Sequence, residues 1–439
     1  MSGRTAGSGS GSGSGGSLLL RHRDFRWFWV GETVNRFGSS VSTVALPLIA
    51  VSVLQATTFQ VGLLSAAAWL PWLLIGLPVG AWVDRWSRRP IMLLSSATSL
   101  VLFASIPLAA HTGVLTIELL LAIAVLTGAA AVFFQTAYSA YLPNLLTQSD
   151  QAEGNAKLHG SASAAQIAGV GCGGVIVQAA GAVNGMYVDA STFLIALLCI
   201  SAIRYREPRR PDVTHTPLAT EVLAGLRLVA GDVWLRTLTI FGGVSNLALM
   251  GYQSIIVVFL VREVGVSPGV VGALMAIASS GGVVGAFLGR RVATAIGTAR
   301  ATLFFELALP ALALLIPLTT RGPGLALYPL GAFCIGVGVV AGNTIKQTFH
   351  QSYCPPELRG RLAASTSFLN YGTIPLGALL GGTLGQVLGL RTALWITTAG
   401  IPLAGLVLLC SPIRRQCDLP SQGRAVPAVA ADSRRARIE

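Results

Sequence analysis

The residues of this chain that could do chemistry are a handful of charges set in long apolar runs. Glu32 and Arg36 fall in the run 25–54, four residues apart. That spacing puts them on one helical face, with the carboxylate N-terminal to the cation, the order that favours pairing. A charge inside a bilayer is costly, so one that stays there is a working group or the buried partner of one. Asp189, in the run 183–203, could carry a proton or make a hydrogen-bonded helix contact. Glu306 in the run 300–319 and Lys346 in the run 324–349 sit at similar depths, which allows an ion pair or a cation that answers to substrate. Glu118 opens the run 115–142 and reads as an interfacial residue near a helix N-terminus.

Other chemistries find little support. His22, His111, His159, His215 and His350 are scattered over termini, loops and helix ends, without catalytic-triad or metal-ligand spacing. Cys172, Cys199, Cys334, Cys354 and Cys410 lie in or beside apolar runs and read as packing residues. The sequence has no Gly-rich phosphate loop ending in Lys-Ser or Lys-Thr. Neither a metal, a cofactor nor enzyme activity is expected, and energy would come from an ion gradient.

The scaffold for these charges follows from composition. Of 439 residues, 53% are hydrophobic and 11% charged, whereas soluble domains are roughly 25% charged. Twelve apolar stretches are each long enough to cross a hydrocarbon core of about 30 Å. They run 25–54, 59–83, 90–110, 115–142, 155–180 and 183–203, then 234–261, 268–289, 300–319, 324–349, 360–387 and 391–411; these are spans 1 to 12. Loops on one side carry clusters such as Arg85, Arg88 and Arg89, or Arg204, Arg206, Arg209 and Arg210, whereas the other side offers Arg262, Arg321 and Arg391. Positive loops stay cytoplasmic, so both termini are expected inside. The formal charge of +13 follows from this asymmetry and calls for membrane lipid as surroundings, not for a nucleic acid. The Gly/Ser run 7–16 cannot bury a core, and no cleavable signal is expected before so long a first span.

An internal repeat divides the spans. Gly154-Asn-Ala-Lys and the glycines from Gly169 to Gly174 parallel Gly360-Arg-Leu-Ala and the glycines from Gly377 to Gly382. Gly80-Ala-Trp-Val-Asp84-Arg85, ending span 2, parallels Gly285-Ala-Phe-Leu-Gly289-Arg290, ending span 8. Both offsets are about 205 residues, which implies parallel halves. The expected fold is all-α: a polytopic membrane protein of about 12 helices in two six-helix halves. Its divisions are a flexible tail at 1–20, a first half at 21–203, a linker at 204–233, a second half at 234–412 and a tail at 413–439. In the linker, Leu218, Val222, Leu226 and Val229 share a helical face, which suits a helix on the inner membrane surface or a solvated connector.

The loop after span 2, Gly80-Ala-Trp-Val-Asp84-Arg85-Trp-Ser-Arg88-Arg89, resembles the signature loop of the major facilitator superfamily, with Ser87 in place of that pattern's second glycine. Gly80 would let another helix approach closely. Span 5 carries Gly169, Gly173 and Gly174, similar to the Gly-Pro-x-x-Gly-Gly motif of the family's antiporters, though without its proline; plain helix packing explains these glycines equally well. The strings Ala45-Leu-Pro-Leu48, Glu153-Gly-Asn-Ala-Lys-Leu158 and Val188-Asp-Ala-Ser-Thr-Phe193 resemble the branch that includes macrolide-efflux and enterobactin-export proteins.

The resemblance implies a bacterial plasma-membrane exporter that alternates access by rocking its halves, works as a monomer and exchanges a small molecule for protons. It makes Gly80, Asp84, Arg85, Arg88 and Arg89, with Gly289 and Arg290 in the second half, a cytoplasmic gate. It makes span 1 a cavity wall, so that Glu32 becomes a proton carrier tuned by Arg36, the alternative being a fixed ion pair. Asn35, Gln135, Tyr138, Asn246, Tyr252, Gln253, Asn343 and Lys346 would then line a substrate site, and its scarcity of charge favours a lipophilic or amphiphilic substrate. The family's span 4 arginine has no match here, which leaves Arg36 to serve. Competing readings are a nutrient importer of the same fold and, with less support, a membrane receptor or enzyme.

Overall fold

In a computed structural model, residues 18–205 and 218–420 are described, except for the side chains of some positions within helices, Asp84 among them. The distal parts of both tails, the linker stretch 206–217 and the side chains of Leu218 and Val222 therefore lie outside the described residues. The twelve spans are helical. Span 1 is Arg23–Leu48, continued by a π-helical turn Ile49–Val53; spans 2 to 6 are Thr58–Arg85, Arg88–His111, Ile117–Leu145, Gln151–Ala180 and Ala182–Ala202. After a linker helix, Leu218–Gly231, span 7 is Val233–Val258 with a π-helical end Phe259–Val264, and span 8 is Pro268–Ile296. Spans 10, 11 and 12 are Leu327–Tyr353, Pro356–Leu388 and Leu390–Leu409. Among the described residues, eleven helices have the length and hydropathy to cross a membrane. Span 11 is the twelfth, 33 residues long, with a polar first half that includes Arg359, Ser365 and Asn370.

Span 9 departs from the expected helix. It starts as α-helix at Thr298–Leu303, widens to a π-helix at Phe304–Ala308 and tightens to a 3-10 helix over Leu309–Leu318. Pro310 and Pro317 supply no amide hydrogen to the ladder, which is the local reason the α pattern is not kept. Span 8 also runs seven residues past the expected 289, to Ile296.

The two halves repeat one packing scheme. Span 1 lies on spans 5 and 6, span 2 on span 4, and span 3 on spans 4 and 6; in the same way span 7 lies on spans 11 and 12, span 8 on span 10, and span 9 on spans 10 and 12. Between halves, span 2 packs on span 11 and span 5 on span 8. With an even number of crossings the two chain ends share one face, called here the terminal face. Tight corners sit at matching places: Gly181 joins spans 5 and 6 with φ 86°, and Gly389 joins spans 11 and 12 with the same φ. This is the left-handed region where glycine carries no Cβ penalty.

Caps fix the helix ends. Thr57 forms a capping box with Gln60 at the start of span 2, an arrangement worth about 1 kcal/mol. Asp232 accepts from Trp234 N at 2.9 Å and Leu235 N at 3.0 Å, and takes the Tyr353 hydroxyl at 2.6 Å, tying the start of span 7 to the end of span 10. On the same face Asp150 binds Thr147 at 2.9 Å and His22 at 3.1 Å, with Arg21 at 3.5 Å. The Thr147 hydroxyl above all, with help from His22 and Arg21, holds the Asp150 carboxyl below its ordinary range against the opposing effect of burial.

Candidate functional site

Helix geometry brings Glu32 and Arg36 together. Arg36 donates from Nε to Glu32 Oε1 at 2.7 Å and from Nη2 to Gln135 Oε1 of span 4 at 3.3 Å. The Glu32 side chain is 6% exposed and that of Arg36 45%, so the pair reaches from the packed side of span 1 outward. Glu32 Oε2 is buried and has no hydrogen-bond partner. Asn35 Oδ1, on the adjoining part of span 1, is likewise buried and unpartnered. Tyr138 stacks on Phe28 with ring centroids 5.0 Å apart and lies 6.2 Å from Phe134. Glu32, Arg36, Gln135 and Tyr138 thus form one polar and aromatic cluster between spans 1 and 4. A buried carboxylate with one oxygen paired to a guanidinium and the other unpartnered is the arrangement in which a proton-exchanging group is sought.

The other intramembrane charges sit elsewhere. Asp189 is fully buried between spans 1 and 6, where Ser42 Oγ donates to Oδ2 and Thr192 Oγ1 donates to Oδ1 at 3.3 Å. Gly38 makes the room: a Cβ there would lie 2.7 Å from Asp189 Oδ1. This is the hydrogen-bonded helix contact, separate from the Glu32 cluster. Lys346 Nζ lies 2.8 Å from Glu306 Oε1 and 5.0 Å from the Phe241 ring centroid. Its side chain is bound into the packing of spans 7, 9 and 10, so the ion pair, not a free substrate-facing cation, is what the structure contains.

The remaining expected contacts divide. Asn246 Nδ2 donates to Asn370 O of span 11 at 3.4 Å. Tyr252 is 5% exposed and enclosed in the central apolar core, which removes it from any open surface. Gln253 and Asn343 are exposed. Sequence reasoning missed an aromatic cluster that crosses the halves: Trp72 lies 5.5 Å from Tyr371 and 6.1 Å from Trp69. The Trp-x-x-Trp spacing of span 2 was its visible signal; Tyr371 comes from span 11 and has no sequence link to it. Asn370, with Oδ1 buried and unpartnered, was missed for the same reason.

The loop after span 2 differs from its expected role in one respect. A Cβ on Gly80 would meet nothing within 4 Å, so no helix approaches closely there. Arg85 is exposed, Arg88 buried, and Arg89 donates to Ile200 O at 3.3 Å and Ser201 O at 2.6 Å, capping span 6 of its own half. The Asp84 side chain lies outside the described residues. In the second half Gly289 packs on Ala341 of span 10, a Cβ there lying 3.1 Å from Ala341 Cα, and Arg290 is exposed.

The glycines of spans 5 and 11 act in register. Gly169 faces Phe37 and Ser40 and Gly173 faces Val41, all of span 1; Gly377 and Gly381 face Leu247 and Gly251 of span 7. The third glycine of each set crosses between halves. A Cβ on Gly174 would lie 2.6 Å from Gly272 Cα, and one on Gly62 2.7 Å from Gly382 Cα. Backbones in such contact leave no space for any side chain, which is how small residues let membrane helices cross closely.

Known proteins resemble this chain in sequence and in fold. The chain is similar to the multidrug efflux pump Tap of Mycolicibacterium fortuitum, 30% identical over 403 residues that cover 88% of this chain and 95% of that protein. It is similar to the enterobactin exporter EntS of Citrobacter koseri, 25% identical over 412 residues, covering 90% of this chain and 92% of that one. In fold it resembles a variant of the nucleoside transporter NupG, with a TM-score of 0.75 at 11% identity over 88% of this chain and 99% of that one. The family model of the Major Facilitator Superfamily matches residues 28–375, a stretch that holds the Glu32 cluster, the span 2 loop and the span 5 glycines. Repeated halves and a match of that extent place this multi-pass membrane transporter of small molecules in the Major Facilitator Superfamily.

Proposed function

We propose that the chain exports a lipophilic or amphiphilic small molecule, such as a drug or siderophore, across a bacterial plasma membrane in exchange for protons. The halves 21–203 and 234–412 would rock about their shared seam within a monomer, with both termini cytoplasmic. The observation that carries this reading is the Glu32–Arg36–Gln135 cluster with its buried, unpartnered carboxylate oxygen. A group that must exchange a proton each cycle needs a partner for its charged form and an atom not already held by a donor for its neutral form, and Glu32 has both. Phe134 and Tyr138, the latter backed by the buried Phe28, would supply an apolar wall for a substrate competing with the proton. Export rather than import is supported by the two exporters that are similar over most of their length. Asp84 and the arginines of its loop would close the cytoplasmic side when the opposite side opens.

The test is purified protein in vesicles with an imposed proton gradient. Accumulation of a fluorescent amphiphile, abolished by an uncoupler, is expected. Efficient gradient-driven export by Glu32→Gln would remove Glu32 from the mechanism, and gradient-driven accumulation in the opposite sense would reverse the direction.

A further inference from the structure

The face opposite the termini carries three arginines that sequence reading used only to orient the chain, and each is bound to backbone carbonyls. Arg321 donates to Val264 O at 2.6 Å and to Gly265 O at 3.4 Å. Arg391 donates to Pro317 O at 3.0 Å and Thr319 O at 3.4 Å, and pairs with Glu263 at 2.7 Å. Both stay within the second half. Arg262 crosses: from the end of span 7 its Nη2 reaches Ala56 O at 2.7 Å and Val51 O at 3.5 Å, at the end of span 1 in the first half.

The receiving turn is shaped for this contact. Span 1 ends in the π-helical turn Ile49–Val53, and Ala56 N then returns to Ala50 O at 2.8 Å. Gln55 between them has φ 50°, the one positive φ outside glycine among the described residues. Span 7 ends the same way, with Val266 N on Leu260 O at 3.0 Å, but there Gly265 takes the positive φ of 72°. The first half therefore holds a side chain in a conformation that disfavours one, and the turn so formed aims two carbonyls from the negative end of a helix at Arg262. The counterpart of Arg262 in the first half is Ser52, so the contact is one-sided. Arg262 is exposed, and on release both guanidinium and carbonyls can be rehydrated, which suits a bond that must break repeatedly. On the second seam Gln178 Oε1 accepts Gly269 N at 3.0 Å and Ser267 Oγ at 3.4 Å, linking span 5 to span 8.

We propose that Arg262 is a latch that holds the halves together at the face opposite the termini, and that it lets go of the span 1 carbonyls whenever that face opens. Gln178 secures the other seam. The latch rests on the alternating-access reading above but not on the substrate or the coupling ion.

Its test uses full-length protein with the six native cysteines replaced and spin labels at Val114 and Thr320, exposed positions on opposite-face loops of the two halves. Distance distributions are recorded without substrate or gradient. Arg262→Ala is expected to raise the ratio of long to short distances about tenfold, the size of one hydrogen bond to a charged group. Arg262→Lys, which keeps the charge but lacks the planar fork, gives a smaller shift, and Gln178→Ala adds to the alanine effect. An unchanged distribution in folded Arg262→Ala overturns the proposal. Should that variant not fold, unchanged distributions in both Arg262→Lys and Arg262→Gln overturn it equally. Because nothing is transported in this measurement, failure of the latch and failure of the export reading are separate results.

Discussion

Lys346 Nζ lies 2.8 Å from Glu306 Oε1, and Gly342, one turn before Lys346 on span 10, clears the space into which the Glu306 carboxylate fits. The pair bridges the π-helical part of span 9 to span 10. Removing one member leaves a buried charge alone, at a cost of about 3 kcal/mol, whereas removing both is far milder. Glu306→Gln and Lys346→Met should each lower the thermal midpoint in detergent, and the double variant should recover most of the loss. Gly342→Ala should resemble the single variants, because its methyl would displace the carboxylate.

Glu32→Gln should abolish accumulation driven by a proton gradient while leaving downhill substrate exchange intact. Asp189→Asn should keep both, since the amide oxygen still accepts from Thr192 or Ser42. Paired assays of driven and downhill flux in the same vesicles separate the two carboxylates. A loss of coupling in Asp189→Asn with normal thermal stability would assign it a proton role.

Gly80 and Gly174 should respond oppositely to added bulk. Gly80→Ala adds a Cβ that meets nothing within 4 Å, so its stability should change by less than about 0.5 kcal/mol in this state. Gly174→Val places atoms inside the backbone of Gly272 and should destabilise the protein and stop transport. Thermal melts and flux measured side by side check both.

The twelve spans were legible because a bilayer selects for apolar length, and the repeat was legible because matching glycines recur at a fixed offset. The ion pair of Glu32 with Arg36 followed from helix periodicity alone. What stayed hidden depends on which spans become neighbours. Trp72 meets Tyr371 because span 2 lies on span 11, Tyr252 turns into the core, and Lys346 finds Glu306 across two helices. Gly80 shows the limit of motif reading: its residue type fits close approach, yet the approach occurs at Gly62 and Gly174. The mixed π and 3-10 character of span 9 was likewise invisible, since an apolar run with two prolines reads simply as a span.

Acid should loosen the clasp around Asp150. Its carboxyl has a lower pKa folded than unfolded, chiefly through Thr147, so the clasp contributes fully above the unfolded value and is lost as pH falls through the folded one. Hydrogen exchange at Leu18–Arg21, whose Leu18 amide binds Glu153 at 3.3 Å, should therefore accelerate below the ordinary carboxylate range. Asp150→Asn should show faster exchange already at neutral pH, with little further change on acidification.

If the halves rock as proposed, the two glycine crossings near the face opposite the termini would serve as the fulcrum for opening the terminal face. From Gly174 back to the start of span 5 the helix is a lever of roughly 35 Å. A rotation of about 15° would swing its far end by ~9 Å, enough to admit a drug-sized molecule, while the backbones at the pivot slide past each other with no side chain to repack. Mechanical gain thus comes from where the glycines sit along the helices, and substrate preference can be altered at the lever's free end without disturbing the bearing.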